Sequence, residues 1–266
     1  MSRIAGAFEE LKRERRGGFI PFITAGDPDL EMTRGLLVEL AHAGATLIEV
    51  GVPFSDPMAD GPVIQRASER ALRHDFGIAE ILETIRAAQE ERPVPVVLFS
   101  YFNPLLQYGV KRLSDDAARA GVDGVLVTDL APEEAQEFSG TLRAHELDMI
   151  FLVAPTSTDA RLKMVAERAS GFIYAVSRAG VTGARESVSR DAELLVQRVR
   201  RVSSLPVAVG FGISNAEQVS DTLRYADAAV VGSALVAEIE RLAGASETVE
   251  RVGAFARRLL KPHAAD

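Results

Sequence analysis

The sequence predicts a closed (β/α)8 barrel with one extra helix at its N-terminus. Three observations carry this reading. Eight short apolar runs recur along the chain, each is followed by a longer stretch of helical periodicity, and no Ser/Gly tract, Pro-rich spacer or charge block interrupts the alternation. Several runs are apolar on both faces and rich in Val, Ile and Leu, which suits strands covered on both sides in a parallel sheet. Eight such units in one chain favour the α/β TIM barrel, commonly about 250 residues long, over an open doubly wound sheet. Residues 1–266 are expected to form a single barrel domain.

The elements follow in order. Ile4–Arg15 precedes the first apolar run and is expected to be the extra helix, covering the bottom of the barrel. The runs are Phe19–Thr24, Thr46–Val52, Val94–Tyr101, Gly124–Thr128, Met149–Val153, Gly171–Val176, Val207–Gly210 and Ala228–Val231. Between them, Leu36, Leu37, Leu40 and Ala41 share one helical face. Leu162, Val165 and Ala166 do the same, as do Leu195, Val196 and Val199. Ser214 and Glu217 have capping-box spacing, which predicts a helix start after the seventh run. Pro132, Glu133 and Glu134 place proline and acid as in a first helical turn. The loops Gly51–Pro62 and Ser177–Ser187 are long for their place, and long loops in compact domains are often functional.

Composition narrows the chemistry. A net charge of −8 gives no broad attraction for nucleic acid or anionic membrane, although a local set of amides can still bind an anion. The absence of cysteine excludes disulfides, a thiolate nucleophile and Cys-ligated metal. The N-terminal segment is charged and amphipathic rather than signal-like, and no run approaches the roughly 18 apolar residues of a membrane span, so a cytoplasmic protein is expected. The four histidines share no ligand spacing, so no metal site is expected. No lysine falls at a strand end, which disfavours Schiff-base chemistry. Walker A and Rossmann patterns are missing.

Two carboxylates stand out. Glu49 interrupts the apolar run TLIEVGV, and alternation groups it with Leu47 and Gly51 against Thr46, Ile48 and Val50. Its side chain therefore projects either into the barrel, with a raised pKa suited to proton transfer, or into the helix layer, paired with an arginine. Asp60 closes the loop VPFSDPMADGP and serves either as an N-terminal helix acid or as a group facing the pocket. Asp56 in the same loop has ordinary turn chemistry as its alternative. Glycines recur after the last three runs: Gly180 and Gly183, then Gly210 and Gly212, then Gly232 followed by Ser233. Backbone approach at glycine and the free amides of a helix start suit a phosphate cradle at this end of a barrel; a purely conformational role of the glycines is the alternative.

The segments PFITAGDP (21–28), IEVGVPFSDPMADGPVIQRASERAL (48–72), YFNPLLQYG (101–109), SRAGVTGAR (177–185), GFGIS (210–214) and GSA (232–234) resemble, in order along the chain, the tryptophan synthase α-subunit family. The resemblance implies cleavage of indole-3-glycerol phosphate to indole and glyceraldehyde 3-phosphate. It implies that Glu49 is the catalytic acid/base and Asp60 the second catalytic carboxylate, with Gly183, Gly212, Gly232 and Ser233 on the phosphate. Phe22, Phe99, Tyr101, Leu126, Tyr174 and Phe211 fall where the family lines the indole pocket. Thr182 matches a residue that orders the site on closure. No cofactor is implied in this chain; pyridoxal phosphate is expected in a partner β subunit, in an α2β2 assembly contacted through the Asp56 loop. Ala131, where many members have proline, and Met58, where leucine is commoner, are the departures.

The implied reaction is a retro-aldol cleavage. Glu49 protonates indole C3 and takes the proton of the adjacent hydroxyl, while an ionised Asp60 stabilises charge on the ring nitrogen. Another phosphate-binding barrel enzyme, a stand-alone lyase without a partner, and a regulatory module with vestigial chemistry are the competing readings.

Overall fold

The structure, a computed structural model, describes residues 2–176, 185–210 and 212–260, with the backbone alone for 185–189. Each apolar run contains a strand, and the strands alternate with helices throughout. Helix α1 (Arg3–Glu14) leads into β1 (Gly18–Thr24), α2 (Leu30–His42) and β2 (Ile48–Gly51). Then come α3 (Pro62–Ala71), α4 (Ile78–Glu91), β3 (Val96–Ser100), α5 (Phe102–Tyr108) and α6 (Val110–Ala120). The centre of the chain holds β4 (Gly124–Val127), α7 (Gln136–Ala144), β5 (Asp148–Val153), α8 (Asp159–Arg168) and β6 (Ile173–Val176). The last part holds α9 (Arg185–Arg200), β7 (Val207–Gly210), α10 (Ala216–Thr222), β8 (Ala228–Val231), α11 (Ser233–Leu242) and α12 (Thr248–Leu260). The strands close into a barrel in sequence order, all parallel, with β8 returning to pair with β1.

Strand alternation divides the apolar residues into two cores. One set, including Phe19, Ile23, Ile48, Val50 and Leu98, lies between strands and helices with Leu36, Leu37, Leu40, Leu195 and Val199. The other fills the barrel interior with Ile20, Phe22, Leu47, Val97, Phe99, Leu126 and Tyr174. Ile4, Phe8 and Leu11 belong to the interior set. Their i, i+4, i+7 spacing gives α1 one apolar face, and Phe8 meets Phe172 with ring centroids 5.7 Å apart. The extra helix therefore plugs the N-terminal end of the barrel and leaves the C-terminal end for the long loops. Among the described residues, no helix is long and apolar enough to cross a membrane.

Local details differ from the sequence pattern at three places. Paired strand is shorter than the apolar run most clearly at β2, β3 and β6; ahead of β3 the Val94 amide donates to Gln89 Oε1 at 3.0 Å, and ahead of β2 Thr46 Oγ1 accepts from the Phe19 amide at 3.1 Å while the Thr46 amide donates to the Phe19 carbonyl at 2.8 Å. The cap of α10 is Asn215, not Ser214; its Oδ1 accepts from the Gln218 amide at 2.9 Å, while Gln218 Oε1 reaches back to accept from the Ser214 amide at 2.8 Å. Asn215 sits one residue closer to the first turn, so its carbonyl oxygen meets the N3 amide. Pro132–Glu134 form a turn rather than the first turn of a helix, with the Glu134 amide donating to the Ala131 carbonyl at 3.0 Å, and α7 starts only at Gln136.

Candidate active site

Register places the key side chains. Phe22 lies beside Glu49 across β1 and β2, Gly51 beside Phe99, and Phe99 beside Leu126. Phe22, Phe99, Leu126 and Tyr174 all belong to the interior cluster. Glu49 shares a strand face with interior Leu47, so it too faces into the barrel, and among the described residues it pairs with no outer-helix arginine. It is 1% exposed, and among the described residues neither of its carboxyl oxygens has a hydrogen-bond partner. An unpaired buried carboxylate is costly, so the neutral form is favoured. Burial pushes its pKa up to about 8. Burial, with the Glu49 charge as a second cause, also holds the Tyr174 hydroxyl well above the usual tyrosine range.

Apolar rings wall this carboxyl in. Phe22 and Phe99 meet edge to face with centroids 5.3 Å apart. A Cβ at Gly51 would lie 2.6 Å from Phe22 Cζ, so the glycine makes room for the ring directly above Glu49 on its own strand. Thr24, two residues beyond Phe22 on the same face and in register with Gly51, is 3% exposed, and its hydroxyl has no partner among the described residues. Sequence reading passes over Thr24, since a threonine ending a strand is ordinary; its inward parity with Phe22 is the signal that finds it.

Asp60 is held beside this chamber by Tyr101, which is 4% exposed. The Tyr101 hydroxyl donates to Asp60 Oδ2 at 3.2 Å and accepts from the Ala59 amide at 2.9 Å. Phe54 packs on the Tyr101 ring at 5.1 Å between centroids. Gln65, on α3, donates from Nε2 to the Asp60 carbonyl at 2.9 Å, which fixes the loop backbone to the helix that follows it. Partial burial raises the Asp60 pKa, and the Tyr101 hydrogen bond opposes the rise. The Tyr101 hydrogen bond thus favours the ionised form of Asp60, an effect that loop composition alone does not predict. Tyr101 itself is pushed up to about 12, mainly by burial.

The end of β8 offers a helix start next to the aromatic wall. Gly232 is the N-cap of α11 and Ser233 its first residue, and the Gly232 carbonyl takes the Leu235 and Val236 amides at 2.9 and 3.0 Å. The earlier amides of such a helix have no acceptor within the helix and point outward with the positive end of the dipole. A Cβ at Gly232 would come no closer than 3.5 Å to Phe22, so the cradle opens next to the aromatic wall. Gly212 is exposed with φ of +81°, a backbone state that favours glycine. Thr182, Gly183 and Phe211 lie outside the described residues, as does Gly180. Met58 and Asp56 lie exposed on the loop leading to Asp60, with Met58 at 87%. Among the described residues, no group of three or more His, Asp or Glu side chains is placed to hold a metal ion.

An inward carboxyl, a second carboxyl on a tyrosine, aromatic walls and a helix start with free amides suit acid–base chemistry on an aromatic substrate that carries an anionic group. Comparison with known proteins points to the same place. The family model for the tryptophan synthase alpha chain matches residues 8–263. The tryptophan synthase alpha chains of Citrifermentans bemidjiense and Solibacter usitatus are 51% and 49% identical, each alignment covering 97% of both chains. The solved tryptophan synthase subunit alpha of Legionella pneumophila superposes with a TM-score of 0.90 at 37% identity, covering 97% of each chain. A ligand-free tryptophan synthase structure from M. tuberculosis gives 0.88 at 37%, covering 97% of this chain and 98% of that one. On its sequence, its barrel and these relatives together, the chain belongs to the tryptophan synthase alpha chain family.

Proposed function

We propose that Glu49 and Asp60 divide the work of the family's lyase reaction, the cleavage of indole-3-glycerol phosphate to indole and glyceraldehyde 3-phosphate. The observation that carries this reading is the buried, inward carboxyl of Glu49, which burial holds towards its neutral form and which aromatic rings enclose. A neutral carboxyl can deliver a proton to indole C3. The same group, once ionised, accepts the proton of the neighbouring hydroxyl as the carbon–carbon bond breaks, so it ends the turnover as it began. Asp60 meets the positive charge that develops on the ring nitrogen. A fixed carboxylate in a water-poor site stabilises such charge more than it would in water. Phe22, Phe99, Tyr101, Leu126, Tyr174 and Phe211 hold the indole. The dianion lies on the amides at Gly183, Gly212, Gly232 and Ser233, and Thr182 orders the site, the roles the family resemblance implies for these positions. No metal or organic cofactor takes part in these steps.

Residues 1–266 are read as one barrel domain, and the chain as working in the cytoplasm, where the family's biosynthetic reaction takes place. Its partner is a β subunit carrying pyridoxal phosphate, in an α2β2 complex that receives the indole. The loop carrying the exposed Asp56 and Met58 is the segment that the family resemblance assigns to the subunit contact. The test is release of indole from indole-3-glycerol phosphate by the purified chain, alone and with a pyridoxal-phosphate β subunit. Indole release that rises with the partner is expected. No release in either condition overturns the assignment.

A further inference from the structure

The two ends of the site are joined outside the barrel by a chain of charged side chains. Helix α3 begins two residues after Asp60, and its Gln65 holds the Asp60 and Pro57 carbonyls at 2.9 and 3.4 Å. Helix α11 begins at Ser233 on the phosphate rim and carries Glu240 two turns further on, roughly 10 Å along the axis. Arg66 and Arg70, one turn apart on α3, both grip Glu240. Arg66 forms a fork, Nε and Nη2 each 2.8 Å from a carboxylate oxygen, and Arg70 Nη1 lies 2.7 Å from Oε1. The other edge of the Arg70 guanidinium forks onto Asp27, at 2.7 and 2.8 Å. Asp27 is 2% exposed and sits in the loop after β1, the strand that carries Phe22 and Thr24.

One guanidinium thus touches three pieces of the site: the loop after β1, the helix fixed to Asp60, and the helix whose start forms the phosphate rim. Arg70 is 20% exposed and Glu240 is half-buried, so the junction is better shielded than the surface pairs elsewhere on the chain. The pairing holds the Glu240 carboxyl down at about 2, with Arg66 as the largest cause. A forked contact on one carboxylate and a simultaneous contact on another need the planar, five-donor head of arginine; a lysine ammonium cannot supply both. Buried ion pairs are a poor route to stability alone, because desolvation offsets much of the attraction. Their geometry is directional, and it fixes α3 against α11.

We propose that Arg70 is a positioning residue that couples the phosphate end of the site to the Asp60 end, so that an anion seated at Ser233 settles the loop holding Asp60. This rests on the reading of the site given above. The test measures indole affinity with and without saturating inorganic phosphate in the full-length chain, and kcat and KM for indole-3-glycerol phosphate. It compares wild type with Arg70→Lys and Glu240→Gln, each checked for folding by circular dichroism. In wild type, phosphate is expected to tighten indole binding by about fivefold or more, the lower range of coupling between linked sites. In both variants that ratio falls towards one, and kcat falls about tenfold or more while KM changes less, as small misplacement of reacting groups predicts. A purely structural role would lower the melting temperature and leave the ratio and kcat of the folded protein as they were. A ratio of one in wild type, or an unchanged ratio in a folded variant, overturns the proposal. If Arg70→Lys does not fold, Glu240→Gln, which cuts only the α11 arm, decides it. The binding arm is independent of turnover, so an inactive wild type would refute the lyase reading while the ratio still decides the role of Arg70.

Discussion

Replacing Glu49 with glutamine should make the protein more stable at neutral and alkaline pH, by an amount that grows with pH. In the unfolded chain Glu49 titrates near 4.5, and in the folded chain near 8. Below 4.5 both states hold the proton and the group makes no difference. Between 4.5 and 8 the unfolded state gives up its proton and the folded state does not, so wild-type stability falls as pH rises. Each pH unit is worth about 1.4 kcal/mol. The loss therefore reaches roughly 3 kcal/mol at pH 7 and levels off at roughly 5 kcal/mol above pH 8. Glutamine does not ionise and escapes this cost. Urea unfolding of both proteins at pH 5, 7 and 9, followed by far-UV circular dichroism, gives the difference directly. Any fixed offset from the glutamine amide cancels between pH values. A stability difference that stays constant from pH 5 to 9 would refute a neutral, buried Glu49.

Three further outcomes follow from the same geometry. Tyr101→Phe removes the hydroxyl that lowers the Asp60 pKa and leaves the Ala59 amide without its acceptor. The acid limb of the kcat/KM profile should then move to higher pH, because Asp60 must be ionised to act; an unmoved limb separates Tyr101 from Asp60. Gly51→Ala places a methyl group 2.6 Å from Phe22 Cζ, and should cost about 1–3 kcal/mol in urea unfolding while weakening indole binding. Unchanged stability would show that the ring has room to move. Ser233→Asp sets a carboxylate at the start of α11, where it competes with the phosphate for the same amides. Inhibition by inorganic phosphate should weaken by about tenfold or more, roughly 1.4 kcal/mol, and an unaltered inhibition constant would place the anion elsewhere.

Much of this architecture is legible in the sequence because barrel strands are buried on both faces and barrel helices on one. The apolar runs and the 3.6-residue spacing of Leu36, Leu37 and Leu40 are direct consequences. Strand ends are less legible, since Gln89 and Thr46 compete through side chains for backbone groups that the run pattern assigns to the sheet. The cap at Asn215 shows the same limit, as two adjacent residues both have capping chemistry and only the chain direction selects one. Within the site, alternation narrows Glu49 to one strand face but cannot choose between barrel and helix layer; register with Phe22 does. The tie between Tyr101 and Asp60, 41 residues apart, and the Arg70 junction to Asp27 and Glu240 depend on loops meeting in space, which one-dimensional spacing does not encode.

The central claim is that Glu49 carries the proton in both directions. Single-turnover release of indole from indole-3-glycerol phosphate by Glu49→Gln, with substrate binding measured in parallel, tests it most directly. A loss of at least about 100-fold in the cleavage rate with substrate affinity retained is the predicted result. Cleavage near the wild-type rate would contradict it.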